Sequence, residues 1–301
     1  MSKMRHLGAP LRRAVVVVVG GCALAVTALT VAGGSPPFTD RTDQAAASAG
    51  VQAPGPVMFP LFARKSGHLY DYEPKGSGAG LKPLVDMGGG WADADALVQV
   101  NLSENGSGND LYHVSGTTLY YTAERGGDTK VIGGGWDQYN LLVSVGNMGG
   151  SSHPDLVARK TDGTLWLYQG RADGTLAARI QIGTGGWNAL NALAGRGDYT
   201  GDGKADLIAR DADGDLYVYP GTGTAVEYAA LGARTTIGWG WQVYKSIVST
   251  GDNDGDGKTD LIANDSAGLL WFYKGTGSAS APLAAKAQIG TAGWAAFDTL
   301  F

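Results

Sequence analysis

The chain has one cysteine, Cys22, so no disulfide can form within it, and an exported form must rest on its core and on metal. Histidine is nearly as scarce, limited to His6, His68, His113 and His153. No H-E-x-x-H, G-x-S-x-G or Walker loop occurs, which leaves zinc-peptidase, serine-hydrolase and P-loop chemistry without their residues. Ser152-His153-Pro154-Asp155 holds the letters of a triad, but neighbours on one turn cannot converge as triad members must. The repeated region shows no helical period, so Gly-rich steps such as Gly88–Trp91 lack the strand-to-helix setting of a phosphate cradle. No enzyme site is expected. Acids are missing from the first 39 residues, while Lys3, Arg5, Arg12 and Arg13 lie there. Beyond those four, 19 basic residues face 28 acidic ones, a net charge of −9. That balance argues against a nucleic-acid partner and suits a cation-binding extracellular chain.

Glycine is abundant instead, 49 of 301 residues against an ordinary usage of about 7%. There is no G-X-Y period, so the glycines mark frequent turns rather than collagen. Residues 1–32 read as a signal peptide: a basic Met1–Arg13, then the uncharged apolar run Ala14–Ala32. Cleavage is expected after Ala32 or Ala49. The run is also long enough to span a bilayer, so an uncleaved N-terminal anchor is the alternative, and only then is a membrane a partner. Val19-Gly20-Gly21-Cys22 is a weak lipoprotein box, because the apolar run continues past it. Arg12-Arg13 is a weak twin-arginine signal. Residues 33–55, rich in Ala, Ser, Gly and Pro, read as a disordered linker. Export is the expectation, and a monomer.

From residue 56 onward one phrase recurs five times, beginning at Leu61, Leu111, Leu156, Leu207 and Leu261, at intervals of 50, 45, 51 and 54 residues. A second, a Gly-rich step ending in tryptophan, also recurs five times, at Trp91, Trp136, Trp187, Trp241 and Trp294. Each period holds four short strands: the run after Trp, a DLIAR-type strand, a GxLYxY strand and the segment entering the next Gly-rich step. Four antiparallel strands in 40–50 residues make a β-propeller blade. The region opens on a second strand and ends on a lone first strand, Trp294–Phe301, so one blade is completed from both ends. That closure favours a ring over a solenoid, which would need caps. The expected fold is all-β, a five-bladed propeller over residues 56–301.

Gly251–Asp260 (GDNDGDGKTD) is the most chemically committed stretch. Asp252, Asp254, Asp256 and Asp260 stand at positions 1, 3, 5 and 9 of a loop, with Gly257 at 6 and the Lys258 carbonyl at 7, the hard-oxygen pattern calcium takes. Position 12 is Ala263 and the flanks read as strands, so the loop is not an EF-hand. Asp198, Thr200, Asp202, Lys204 and Asp206 repeat the pattern with one hydroxyl. Asn147, Ser151 and Asp155 keep a weak third copy. The frame before Leu111 (Leu102, Glu104, Gly106, Asp110) keeps no credible site. Two structural calcium ions are therefore expected. A site of about 0.1 mM affinity in about 1 mM calcium stabilises a fold by roughly 1.4 kcal/mol.

The D-x-D-G-D-G-x-x-D-L-I loop resembles the FG-GAP or VCBS repeat of integrin α-subunit propellers and many secreted bacterial proteins. That resemblance implies calcium between the first two strands of a blade. The I-G-x-G-G-W step followed by G-x-L-Y is similar to the tachylectin-2 repeat, a five-bladed lectin that binds N-acetylated sugars. The tachylectin pattern lacks the acidic loops, so the chain matches neither family throughout. Two readings stay open for Trp91, Trp136, Trp187, Trp241 and Trp294: packing between blades, or shallow sugar sites at blade junctions. Tyr70, Tyr120, Trp166, Tyr217 and Trp271, in the third strands, are expected to pack between sheets. The function expected first is lectin-like binding of a glycan or cell-surface polysaccharide; an integrin-like module binding an extracellular protein comes second, and a hydrolase is a distant third.

Overall fold

A computed structural model describes residues 56–103, 110–126 and 129–301. The expected signal peptide and linker lie outside them. The described chain forms five four-stranded antiparallel sheets arranged in a ring. Blade 1 comprises β1 (Leu61–Lys65), β2 (His68–Tyr72) and β3 (Val85–Gly88), completed by β20 (Thr299–Leu300). Blade 2 is β4 (Ala96–Val100), β5 (Asp110–Ser115), β6 (Thr118–Thr122) and β7 (Thr129–Gly133). Blade 3 is β8 (Tyr139–Gly146), β9 (Asp155–Lys160), β10 (Leu165–Gln169) and β11 (Ile180–Gly183). Blade 4 is β12 (Leu190–Gly197), β13 (Asp206–Asp211), β14 (Leu216–Tyr219) and β15 (Thr235–Gly238). Blade 5 is β16 (Tyr244–Gly251), β17 (Asp260–Asp265), β18 (Leu270–Tyr273) and β19 (Ala287–Gly290). The ring closes as expected from the sequence: Ala63 pairs with Leu300, and Phe62 and Phe301 exchange backbone hydrogen bonds of 3.0 and 2.9 Å.

The second strands are apolar on both faces because both faces are covered. In β13, Leu207 and Ala209 join the cluster shared with blade 3, while Ile208 joins the one shared with blade 5. Continuous apolar runs rather than alternation follow from such two-sided burial. Clusters of this kind fill every junction of the ring; the one between blades 1 and 2 is the smallest, with Leu69, Ala94, Leu97 and Leu111 as its buried members. That junction carries an ion pair instead: Arg125 of blade 2 lies 2.6 Å from the fully buried Asp71 of blade 1 and 3.0 Å from Glu73.

The Gly-rich step has a double physical reason. Its first glycine (Gly183, Gly238, Gly290) lies where a Cβ would overlap the indole Nε1 of the following Trp187, Trp241 or Trp294. Its last glycine (Gly135, Gly186, Gly240, Gly293) has φ of 81, 104, 79 and 91°, the left-handed region, and opens the short 3₁₀ turn that begins with Trp. The Trp N–H then donates to the second hairpin of the preceding blade, as Trp187 does to Gly163 O at 3.1 Å and Trp241 to Gly214 O at 2.9 Å.

Candidate metal loops and blade junctions

The acidic loops join the first and second strands of their blades. In Gly251–Asp260 the backbone curls round Asp252, whose carboxylate accepts N–H bonds from Gly255, Asp256 and Gly257 at 2.8–3.0 Å. Asp198 does the same for Gly201 and Gly203 at 2.6 and 2.7 Å. The residue at position 9 has a second task that the sequence pattern did not reveal. Asp260 Oδ2 accepts the N–H groups of Asn253 and Asp254, and its Oδ1 accepts that of Gly275, which follows β18. Asp206 repeats this with Tyr199, Thr200 and Gly221. Even Asp110, whose loop keeps no metal pattern, bonds Leu102, Ser103 and Glu124. All three carboxylates are fully buried, as is Asp155. Burial pushes the Asp260 carboxyl up to about 7 and Asp155 to about 6, against the pull of these N–H bonds.

Oxygens bound to one calcium at about 2.3–2.6 Å can stand no more than about 5 Å apart. Asp198, Asp202 and Asp206 offer carboxylate oxygens within 4.8 Å of one another, and so do Asp252, Asp254 and Asp260. Asp254 Oδ1 is buried without a hydrogen-bond partner. The donors are all hard oxygens, and both loops fit calcium. A bound calcium would offset two of the three crowded negative charges. Thr200 Oγ1 lies 3.4 Å from Asp198 Oδ1. The N–H groups of Lys204 and Lys258 bond back to Asp202 and Asp256 at 2.9 and 3.0 Å. The weak copy is closed by its own bonds: Asn147 Nδ2 donates to Ser151 O, and Ser151 Oγ reaches His153 O at 2.9 Å and Asp155 at 3.4 Å.

Asp256, expected as a ligand, stands outside the close group of its loop. It turns to Lys274, whose Nζ lies 2.9 Å from Asp256 and 2.6 Å from Asp254, and those carboxylates raise the lysine's pKa. Pro220 and Gln169 occupy the corresponding positions of blades 4 and 3, so this counter-cation is peculiar to blade 5. A divalent ion at this loop would share Asp254 with it and feel its charge. Lys274→Met is accordingly expected to tighten calcium binding at this loop by about tenfold. Calorimetric titration in an Asp198→Asn background isolates the site, and an unchanged affinity would refute the competition.

Each loop also touches the next blade. A Cβ on Gly150, Gly201 or Gly255 would run into the carbonyl of Gly223, Gly277 or Gly76, each in the connection after the third strand of the following blade. Gly78 N–H donates to Asp254 O at 3.1 Å across the same contact. The loops thus fasten neighbouring blades together. Gly201, with φ of 83°, is strained by any side chain and has no room for one. Gly201→Ala is expected to cost about 2–3 kcal/mol in urea denaturation.

Three of the five repeated indoles are covered by their own chain: Trp136, Trp241 and Trp294 are buried, while Trp91 and Trp187 are half-buried. Trp136, Trp187, Trp241 and Trp294 lie 5.0, 4.9, 4.4 and 4.6 Å from the rings of Tyr168, Tyr219, Tyr273 and Tyr72, on the third sequential strand type of their own blades. Trp91 finds Thr122 at that place and meets the edge of His113 at 5.3 Å instead. In the second aromatic group, Tyr70, Tyr217 and Trp271 pack against inter-blade clusters as expected. Cations lie over three members of that group: Arg179 is 4.4 Å from the Trp166 ring, Arg234 4.0 Å from Tyr217 and Lys286 4.1 Å from Trp271.

A residue set that sequence reading missed ties down four of the five Trp carbonyls, those of Trp91, Trp187, Trp241 and Trp294. Arg210 Nη1 donates to Trp241 O at 3.0 Å and Tyr244 O at 2.6 Å, and its Nε to Asn191 Oδ1 at 2.7 Å. Arg159 clasps Trp187 O and Leu190 O, Arg64 clasps Trp91 O and Ala94 O, and Asn264 Nδ2 holds Trp294 O at 3.0 Å. The signal was the fourth letter of the L-x-A-R phrase, Arg in three copies, Asn264 in one and the donor-less Val114 in the other.

Residues 150–209 and 198–263 each match the family model of the FG-GAP-like repeat. The chain carries FG-GAP-like repeats. The matched stretch takes in both acidic loops and the strands that hold them, which places the FG-GAP loop at the blade junctions just described. Solved structures with a similar fold include a nidogen/laminin complex chain (14% identity, 72% of this chain and 74% of that one, TM-score 0.35). The BP39L lectin of Burkholderia pseudomallei (14%, 73% and 66%, 0.41) and the Dos1 propeller (10%, 77% and 58%, 0.34) are others. The chain thus spans about two thirds or less of those last two. Likenesses this distant do not bear on what this chain binds. No curated protein sequence matches it.

Proposed function

We propose that this chain is an exported, calcium-stabilised propeller whose ring surface binds carbohydrate. The observation that carries the reading is Trp239. Its side chain is 75% exposed, on the step between β15 and β16, beside the packed Trp241. Gly89 and Gly134 stand there in blades 1 and 2, so the indole is an addition to the repeat rather than a requirement of it. A free indole face takes the apolar face of a sugar ring, and the backbone groups of Gly238 and Gly240 stand beside it for the hydroxyls. Trp91 and Trp187, half-buried at their own junctions, offer further contacts, and several weak sites on one ring add avidity. Export rests on the basic and apolar leader, and calcium on the fit of the two loops. A protein ligand is the second reading, favoured by the exposed Val226 and Tyr228 on the outer part of blade 4.

A glycan array probed with and without chelator tests the proposal. Binding by the calcium-loaded protein is expected, and Trp239→Ala should weaken it by about tenfold while leaving the melting temperature unchanged. A folded, calcium-loaded protein that recognises no glycan on the array would overturn the carbohydrate reading.

A further inference from the structure

The inner strands β4, β8, β12, β16 and β20 enclose an axial cavity of about 300 Å³. Leu97, Leu141, Val143, Leu193, Ile247 and Leu300 contribute apolar side chains to its walls, interleaved with the polar groups of Ser144, Asn191, Ser246 and Ser249. Two cations line it. Lys245 is exposed, and its Nζ is held by the carbonyls of Ala295 and Phe297 at 3.1 and 2.7 Å. Arg196 is different: only 9% of it is exposed. Its Nε donates to Ser249 O at 2.7 Å and its Nη1 to Gln99 O at 3.0 Å, so it bridges blade 4 to blades 5 and 2. The guanidinium lies 4.2 Å from the ring of Phe59.

All of these partners are neutral. Among the described residues no carboxylate comes within ion-pair distance of Arg196, and its Nη2 makes none of the hydrogen bonds. A buried charge without a counter-charge is costly, and proteins ordinarily pair it. Burial pulls its pKa down to about 9, which leaves it cationic at neutral pH. The backbone is strained there as well. Arg196 has φ of 130°, at an irregularity in the pairing of β12 with β13. In β8 and β16 the glycine one step further on, Gly146 or Gly251, takes the positive φ. Blade 4 has Gly197 at that step, yet the arginine carries the strain. Strain held beside a cavity on an unpaired buried charge points to a ligand rather than to packing.

We propose that the axial cavity binds a small monocarboxylate with an apolar body, its carboxylate paired with the guanidinium of Arg196. One anionic charge matches the one buried cation, and the Nη2 donors suit a planar carboxylate. A dianionic phosphate would leave a charge uncompensated among leucines and valines. A cavity of this size lies at the small end of ligand sites, which range over about 300–1,000 Å³.

The test is calorimetric titration of the full chain, in saturating calcium, with octanoate and with 1-octanol, a neutral probe of the same length. Octanoate should bind the wild type about tenfold or more tightly than octanol. Arg196→Met should bind the two alike, Arg196→Lys should keep a preference for the acid, and Leu141→Trp, which fills the cavity from a half-buried position, should bind neither. No octanoate binding, or equal binding of the two probes, overturns the proposal on the wild-type protein alone, whatever the variants do. A preference that survives Arg196→Met in folded protein, or tight octanoate binding to Leu141→Trp, places the anion elsewhere and overturns it too.

Discussion

Arg210→Met should lower the free energy of unfolding by about 3–5 kcal/mol, the loss expected when bonds from a charged donor to two buried carbonyls are removed together. The guanidinium holds Trp241 O, Tyr244 O and Asn191 Oδ1 at 3.0 Å or less, and only 6% of Arg210 is exposed. Methionine fills the space of the stem without a donor, so Trp241 O is left with the N–H of Tyr244 alone and Tyr244 O loses the guanidinium outright. Burial itself works against the arginine and lowers its pKa, so the wild-type clasp contributes less than its bonds suggest. The three bonds lost with the guanidinium decide the outcome. Asn264→Ala, at the matching place in blade 5, should cost less, because Asn264 is neutral and makes two bonds, to Trp294 O and from Ser246 N–H, where the charged Arg210 makes three. Urea denaturation checks both: the midpoint should fall while the slope is kept, and a loss under about 1 kcal/mol for Arg210→Met would mean the clasp is incidental.

The clasp shows where sequence reading stopped. Blade count, strand order and ring closure were legible because two phrases recur five times and the ends are complementary. Each depended on local patterns: Gly-rich steps, apolar second strands, acidic loops. The clasp depends on which blade stands beside which, and its donor and acceptor lie about thirty positions apart, at Arg159 with Trp187 and at Arg210 with Trp241. The metal loops divide in the same way. Asp252 and Asp198 were readable as loop organisers, since their partners are the next few N–H groups. Lys274, fourteen residues beyond Asp260, carries no mark in the sequence that it will turn back onto Asp254 and Asp256. Trp239 was visible in IGWGW, but five matching tryptophans drew attention away from the one that does not repeat. The free indole was the exception to the pattern.

The ring has two ways of holding adjacent blades, and they sit at opposite ends of the inner strands. At the end where the inner strand begins, the Trp turn is docked on the preceding blade through its N–H and its carbonyl. At the other end, the acidic loop is pressed on the following blade through Gly150, Gly201 or Gly255. Where the other acidic positions are missing, the buried Asp at position 9 is still present, as Asp110 and Asp155 are. The shape of the loop is therefore a requirement that comes before any metal it would hold.

That ordering makes Asp260→Ala the sharper of the possible loop variants. Its carboxylate ties Asn253, Asp254 and Gly275 in one buried knot at 2.9, 3.2 and 2.7 Å. Removing it leaves three N–H groups unpaired, each costing about 1–3 kcal/mol, less whatever the loop recovers by relaxing. A net loss of about 3–5 kcal/mol is expected, and it should appear in chelator as well as in calcium. Asp254→Asn keeps a side chain of the same shape: its amide nitrogen can take the partnerless Oδ1 place, its oxygen still accepts from Lys274, and only the charge of that part-exposed ion pair is given up. It should cost little in chelator and lose most of the stabilisation that calcium gives, roughly 1.4 kcal/mol for a site at ten times its dissociation constant. Urea titrations of both variants, each with calcium and with chelator, separate the two roles. If Asp260→Ala lost stability only in calcium, its carboxylate would be a ligand and not a staple, and the same reading would fail for Asp110, Asp155 and Asp206.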